Sequence, residues 1–180
     1  MEINLLIVGI LGTNSYLLSS ENELGLIDPG AEPEKILDKI RETRCKLKYI
    51  INTHYHHDHT GADEKIKKET GAEILIHEKE KDFINFKADR FLKDGEEIKI
   101  GKIVLKVLHT PGHTPGGICL LGEDFIFTGD TLFKDGYGRT DLKGGSQEDL
   151  VGSLKKIGNL LVPGMMVYPG HGEFFLVEEF

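Results

Sequence analysis

The feature that most narrows the folds open to this chain is a run of seven residues, Thr53-His54-Tyr55-His56-His57-Asp58-His59, holding four of its eight histidines and a carboxylate. Such a stretch makes a poor core and a good metal claw. Just before it, Tyr49-Ile50-Ile51-Asn52-Thr53 reads as a buried strand, because β-branched and aromatic side chains suit a pleated surface. The cluster therefore falls beyond the carboxyl end of a strand, where layered α/β folds collect their ligands. At a turning strand end, His54 and His56 aim at one point, and Asp58 with His59 on the next bend begin a second centre. A solvated His-rich loop has the same residues but no partners elsewhere; a metal site has ligands of matching type at other strand ends. Three such positions follow one grammar of strand, turn and ligand. His113 follows the apolar stretch Ile103 to Leu108, Asp130 follows Phe125-Ile126-Phe127-Thr128-Gly129, and His171 follows Met165-Met166-Val167-Tyr168-Pro169-Gly170.

Five separated motifs, Asp28-Pro29-Gly30, the His cluster, His113, Gly129-Asp130-Thr131 and Gly170-His171-Gly172, resemble in order and spacing those of the metallo-β-lactamase superfamily. Within it they resemble the glyoxalase II-like branch of hydroxyacylglutathione hydrolases and persulfide dioxygenases. The resemblance implies an α/β fold, a four-layer αββα sandwich. It implies His54, His56 and His113 on one metal, Asp58, His59 and His171 on a second, and Asp130 between them; His57 matches no ligand. Two-domain hydroxyacylglutathione hydrolases carry a further C-terminal helical domain that helps grip glutathione. Residues 1–180 are expected to form the single metallo-β-lactamase-like domain without it. In those enzymes a base and a tyrosine two positions later bind glutathione, whereas Gly138-Arg139-Thr140-Asp141 keeps the base as Arg139 and has Asp141 for the tyrosine. This form is more similar to persulfide dioxygenases and single-domain members. Thr60-Gly61-Ala62 stands where the family often has a second glycine.

A chain of 180 residues with no Pro/Ser-rich linker suits one domain. With 22 basic and 30 acidic residues its net charge is −8, which opposes nucleic acid and anionic membranes; neither partner is expected. Cys45 and Cys119 are too sparse for a disulfide framework and read as buried thiols of a reducing cytoplasm. The N-terminal run lacks a basic segment, so a signal peptide is not expected, and no stretch reaches membrane-spanning length.

Ile3 to Val8, Asn14 to Ser20 and Leu24 to Asp28 read as a three-stranded meander. Pro33-Glu34 opens a helix with Ile36, Leu37 and Ile40 on its apolar face. Asp28, at a strand end, has two readings of equal weight: it orients a ligand histidine, or it only shapes its turn. Gly61 to Thr70 reads as a short helix, Ala72 to His77 as a strand with a satisfied or surface His77, and Glu78 to Arg90 as a surface helix with Phe83, Phe86 and Phe91 toward the core. Two hairpins follow, Glu96 to Leu108 around Gly101 and Gly117 to Phe127 around Gly122-Glu123-Asp124. A strand pair ending in an acid thus occurs twice, at Asp28 and Asp130, which points to two similar halves. The loop Gly129 to Gly145 carries Lys134, Tyr137, Arg139 and Lys143, and Tyr137, Arg139 and Lys143 are the expected substrate contacts. Ser146 or Gly145 caps a helix reaching about Leu161.

The expected cofactors are two divalent metal ions. Imidazole and carboxylate donors suit zinc, with iron or manganese admissible because no thiolate selects against them. With two ligand aspartates and a hydroxide held between the ions, the site carries about +1 in an acidic protein, which favours a small anionic substrate. Thioester hydrolysis is the first choice, since a thiolate leaves without a strong general acid, and Asp58 is the expected orienting residue for the nucleophilic hydroxide. The alternatives are a persulfide dioxygenase with one Fe(II) on His54, His113 and Asp130, and a lactone or phosphodiester hydrolase on the same fold. The sequence leaves the oligomeric state open.

Overall fold

The computed structural model describes residues 1–178. The first half runs β1 (Glu2–Val8), β2 (Thr13–Ser20), β3 (Glu23–Ile27), α1 (Pro33–Thr43), β4 (Lys46–Ile51), α2 (His57–Thr60), α3 (Asp63–Thr70), β5 (Glu73–His77), a single 3₁₀ turn (Glu78–Glu80) and β6 (Arg90–Leu92). The second half runs β7 (Glu97–Ile100), β8 (Ile103–His109), β9 (Ile118–Leu121), β10 (Phe125–Gly129), the small hairpin β11 (Leu132–Phe133) and β12 (Gly136–Tyr137), α4 (Gln147–Gly158), β13 (Met166–Pro169) and β14 (Phe175–Leu176). Strands form two six-stranded sheets, ordered β1-β2-β3-β4-β5-β6 and β14-β13-β10-β9-β8-β7.

Period-two patterning explains why the sheets stack. In β2, Tyr16 and Leu18 join the cluster between the sheets while Leu17 faces the helices. In β10, Phe125 and Phe127 point inward and Ile126 points to the layer beneath α4. Ile36, Leu37 and Ile40 of α1 and Ile66 of α3 pack on Leu17, Leu24, Leu26 and Ile50 of the first sheet. Leu108, Cys119, Ile126 and Val167 receive Ile157 of α4 on the second. Three apolar layers thus separate four layers of structure, the expected αββα sandwich.

Each half repeats one plan. An antiparallel meander, β1-β2-β3 or β8-β9-β10, is followed by a helix that carries the chain to a parallel neighbour, β4 or β13. Since β3, β4, β10 and β13 belong to these parallel pairs, their carboxyl ends gather at one rim, where the turn after β3 carries Asp28 and the turns after the other three carry expected ligands.

Several expectations need correction. Residues 78–90 form no helix: after the turn at Glu78–Glu80 the chain runs irregularly to β6. Phe91 sits in that edge strand and is exposed, while Phe83 and Phe86 are half-buried. The aromatic spacing looks helical, but Arg90, Phe91 and Leu92 pair with Leu75, Ile76 and His77 as an edge strand, and Asp89 accepts from the Ile74 amide at 2.8 Å, which draws the segment out along the sheet. The helix expected from Gly61 begins at Asp63 and is preceded by one turn of helix, α2, inside the His cluster itself. The last helix stops at Gly158 rather than Leu161; Ser146 is its cap, its Oγ accepting from the Asp149 amide at 3.2 Å. Cys119 is buried, and burial pushes its thiol up to about 11, but Cys45 is half-exposed.

Candidate metal centre

The turn after β4 carries His54 and His56, α2 carries Asp58 and His59, and the turns after β8, β10 and β13 carry His113, Asp130 and His171. The structure brings all seven expected ligands together. Three groups have donor atoms within 4.8 Å of one another: His54, His56 and His113; Asp58, His59 and His171; and, linking them, His54, His59 and Asp130. One Asp130 oxygen lies 3.4 Å from His59 Nε2, and the other 3.5 Å from His113 Nε2 and 3.6 Å from His171 Nε2. A carboxylate so placed faces both centres, as a bridge must. His57 is exposed.

Close backbone approach makes this convergence possible. A Cβ on Gly30 would overlap the Asp58 carbonyl, and one on Gly170 would overlap Asp130 and fall 2.9 Å from His59 Cε1. The two sheets are also joined at this rim. Asn14 donates through its amide to Gly170 O at 2.7 Å and through Nδ2 to Pro169 O at 3.0 Å and Gly172 O at 2.8 Å. The Tyr16 hydroxyl donates to Pro169 O at 2.7 Å, and the Ile118 amide to Thr53 O at 2.9 Å.

Outer hydrogen bonds decide which ring nitrogen faces the centre. His59 Nδ1–H donates to Asp28 Oδ2 at 3.0 Å, His113 Nδ1–H to Arg139 O at 2.7 Å, and His171 Nδ1–H to Leu11 O at 3.2 Å. The Thr53 hydroxyl donates to Asp28 Oδ2 at 2.7 Å, so its oxygen accepts from His54 Nδ1–H at 3.1 Å. All four therefore present Nε2, while His56 presents Nδ1, 2.9 Å from His113 Nε2. Asp28 also accepts from the Thr53 amide at 2.7 Å. Of its two readings, orientation of ligand histidines is the one the geometry favours.

Protonation favours the same chemistry. Burial, reinforced by His59, His113 and His56, holds His54 well below the ordinary imidazole value. Burial and His113 push His56 down to about 4. Burial works against ionisation of Asp58, but its hydrogen bonds with His171 and His59 win and keep it well below the carboxylate range. Two imidazoles are thus neutral and one carboxylate charged at pH 7, the forms that ligate. Burial opposes charge on His59, yet Asp130 and Asp28 raise it well above the ordinary value. This corner of the site attracts positive charge.

Two buried atoms test whether cations fit: His54 Nε2 and Asp130 Oδ1 have no hydrogen-bond partner among the described residues. Buried polar groups rarely go unpaired, and both belong to the group linking the two centres. Neutral imidazoles and carboxylates, crowded with lone pairs inward, form a donor set for divalent cations.

The expected substrate residues surround this centre in a different way from one another. Tyr137 is exposed and, with Phe133, His171 and Glu173, lines a recess of about 370 Å³. Arg139 brings its carbonyl to His113, while its guanidinium pairs with Asp141 at 2.7 and 2.6 Å. The Lys143 carbonyl accepts from the Tyr55 hydroxyl at 2.9 Å, and its ammonium lies 5.3 Å from the Phe83 ring centre. Sequence reasoning missed Thr13, whose hydroxyl donates to Asp58 Oδ2 at 3.2 Å, as well as Asn14 and Thr53. Thr53 had a signal, its place beside His54; Thr13 and Asn14 had none, because their partners lie 45, 155 and 158 positions away.

A two-sheet sandwich with this ligand set on one rim defines a metallo-hydrolase. The model of the metallo-beta-lactamase superfamily matches residues 8–171, and the chain belongs to that superfamily. It is 37% identical over 160 residues to a probable polyketide biosynthesis zinc-dependent hydrolase of Bacillus velezensis, covering 87% of this chain and 71% of the relative. It is 34% identical to a hydroxyacylglutathione hydrolase of Haemophilus influenzae, covering 99% of this chain and 94% of the relative. Among solved structures, the protein TTHA1623 in a di-iron-bound form superposes with a TM-score of 0.87 at 30% identity, covering 96% of this chain and 94% of that one.

Proposed function

We propose that the protein hydrolyses a small anionic thioester, of the kind named for its hydroxyacylglutathione hydrolase relative, with two divalent cations as cofactors. The observation that carries this reading is the pair of ligand groups joined by His54, His59 and Asp130. His54, His56 and His113 would hold one ion, Asp58, His59 and His171 the other, with Asp130 between. When bound, the ions supply Lewis acidity and a water ionised near neutral pH.

The chain's own residues supply the rest. Asp58 is fixed by Thr13 and His171, and as an ionised carboxylate it accepts a hydrogen bond from the attacking water and orients it. Asp28, Arg139 O and Leu11 O keep ring protons off the inward nitrogens. Tyr137, Arg139 and Lys143, on the rim, are the groups proposed to meet the anionic part of the substrate. The site offers no evident general acid, and none is required: a thiol with an ordinary pKa of about 8.5 departs as the thiolate.

A second reading, a persulfide dioxygenase with one Fe(II) on His54, His113 and Asp130, uses a subset of these residues; His113 Nε2 does lie 3.5 Å from Asp130 Oδ2. A lactone or phosphodiester hydrolase would use the same metals with another pocket. The deciding experiment is metal content after anaerobic purification, together with assays of S-lactoylglutathione cleavage and of oxygen uptake with glutathione persulfide. Two metals per chain with thiol release support the thioesterase. One iron with oxygen uptake replaces it with the dioxygenase.

A further inference from the structure

We propose that Glu80 is a positioning residue that ties the two halves of the first metal's ligand set together across the sheets. The inference rests on the dinuclear reading above and concerns a buried carboxylate which that reading leaves unused.

Glu80 ends the 3₁₀ turn after β5, in the first half of the chain, and is fully buried. Its Oε1 accepts from the Thr114 hydroxyl at 2.7 Å and from the Gly116 amide at 2.5 Å. Both donors belong to the turn after β8 in the second half, one and three positions after His113. A Cβ on Gly116 would fall 2.6 Å from Glu80 Cγ and 2.7 Å from Oε1, so glycine is what lets this backbone reach the carboxylate. Other hydrogen bonds of this turn stay within the second half of the chain: Thr110 N to Gly117 O, Ser146 N to Gly112 O, the Ser153 hydroxyl to Pro111 O at 2.6 Å and His113 Nδ1 to Arg139 O. Glu80 reaches it from the opposite sheet.

The same residue faces the other half of the ligand set. The second carboxylate oxygen is buried with no hydrogen-bond partner among the described residues. The Glu80 carbonyl accepts from the Phe83 and Ile84 amides at 2.9 and 3.3 Å, which seats the Phe83 ring 4.9 Å from that of Tyr55. One buried residue therefore holds the turn that carries His113 through its side chain and, through Phe83, packs against Tyr55 between His54 and His56. Nothing comparable links it to Asp58, His59 or His171.

Burying an acid so far from solvent is costly unless it is paired, and burial does push the Glu80 carboxyl up, against the hydrogen bonds from Thr114 and Gly116. A clamp of this kind acts on metal affinity as outer hydrogen bonds to ligands do, at roughly ten- to a hundredfold.

The test compares wild type with Glu80→Ala, Glu80→Gln and Thr114→Val. Cadmium NMR of the loaded protein reports one signal per site, chelator competition reports each affinity, and hydrogen exchange of the Gly116 amide in metal-free protein reports the clamp directly. Glu80→Ala is expected to weaken the first site by roughly tenfold or more, leave the second unchanged and speed Gly116 exchange. Glu80→Gln, which keeps the Oε1 acceptor, is expected to restore much of the affinity. Thr114→Val, which removes one donor, shows a smaller loss with the same selectivity, and it decides the matter alone should Glu80→Ala not fold. Unchanged affinities, or equal loss at both sites, overturn the proposal while leaving the dinuclear reading intact. A wild-type protein that takes up no metal overturns that reading first, and this one with it.

Discussion

The replacement Asp28→Asn separates the orientation of ligands from the stability of the fold. Asp28 is 1% exposed and its carboxylate accepts from the Thr53 amide, the Thr53 hydroxyl and His59 Nδ1 at 2.7, 2.7 and 3.0 Å. Its backbone φ of 51° is one that asparagine tolerates. Asparagine keeps the oxygen that serves the Thr53 amide and puts an NH₂ group where Oδ2 was. His59 Nδ1 must then accept instead of donate, which moves its proton to Nε2, the nitrogen that faces Asp58, Asp130 and His171. The Thr53 hydroxyl accepts as well and turns to donate to His54 Nδ1, reversing a second ring. In the variant each of the two wrong tautomers makes a neutral hydrogen bond, worth about 0.5–1.5 kcal/mol, that the right tautomer lacks. The net preference for the wrong tautomers is about 2 kcal/mol, and at 1.36 kcal/mol per decade this is roughly a 30-fold loss of metal affinity. The metal-free fold loses little, because every partner remains paired. Chelator competition on the variant, beside the melting temperature of both apo-proteins, makes the measurement. Wild-type affinity at both sites in Asp28→Asn would show that Asp28 only shapes its turn.

Asp130→Ala is expected to abolish binding at both sites, whereas His57→Ala should leave turnover nearly intact; equal losses would show the ligand assignment to be wrong. Gly30→Ala places a methyl group on the Asp58 carbonyl, and displacing α2 to relieve it should cost about 3 kcal/mol or more of stability along with metal uptake, read by thermal melting and metal analysis; an unaltered melt refutes the close packing. Asp63 is fully buried and burial drives its carboxyl well above the usual range, against its hydrogen bond from Asn52. The folded state then holds the proton more tightly than the unfolded one, so this stabilisation is full below the ordinary carboxyl pKa and is lost as pH rises toward the folded value. Asp63→Asn stays neutral throughout, and its melting temperature relative to wild type should rise as pH climbs above the ordinary carboxyl value; parallel curves would refute the buried acid.

What could be read in the chain beforehand depended on whether the signal was local. The His cluster, His113, Asp130 and His171 each come soon after an apolar strand, so strand end and ligand were visible together, and the sandwich followed from the family these motifs resemble. Residues 78–90 misled because charge and Phe spacing mimic an amphipathic helix, while the competing force, pairing of Arg90–Leu92 with Leu75–His77, is not local. Glu80 looked like one more surface acid for the same reason: its partners Thr114 and Gly116 lie 34 and 36 positions away. Asn14 reads as no more than the start of a strand until the chain brings it to Pro169 and Gly172 across 155 and 158 positions. Asp28 stayed ambiguous because an acid before Pro-Gly suits a turn equally well.

His54, His56, Asp58 and His59 belong to one sheet's rim, and His113, Asp130 and His171 to the other's. The reaction centre is thus a seam, and its dimensions are set by how Tyr16, Phe125 and Phe127 fill the space beneath it. Exchanging one of these side chains for a bulkier or slimmer one slides the leaves of the sandwich against each other and retunes both ion sites at once. Reactivity in such a protein can drift over generations while every coordinating residue stays the same.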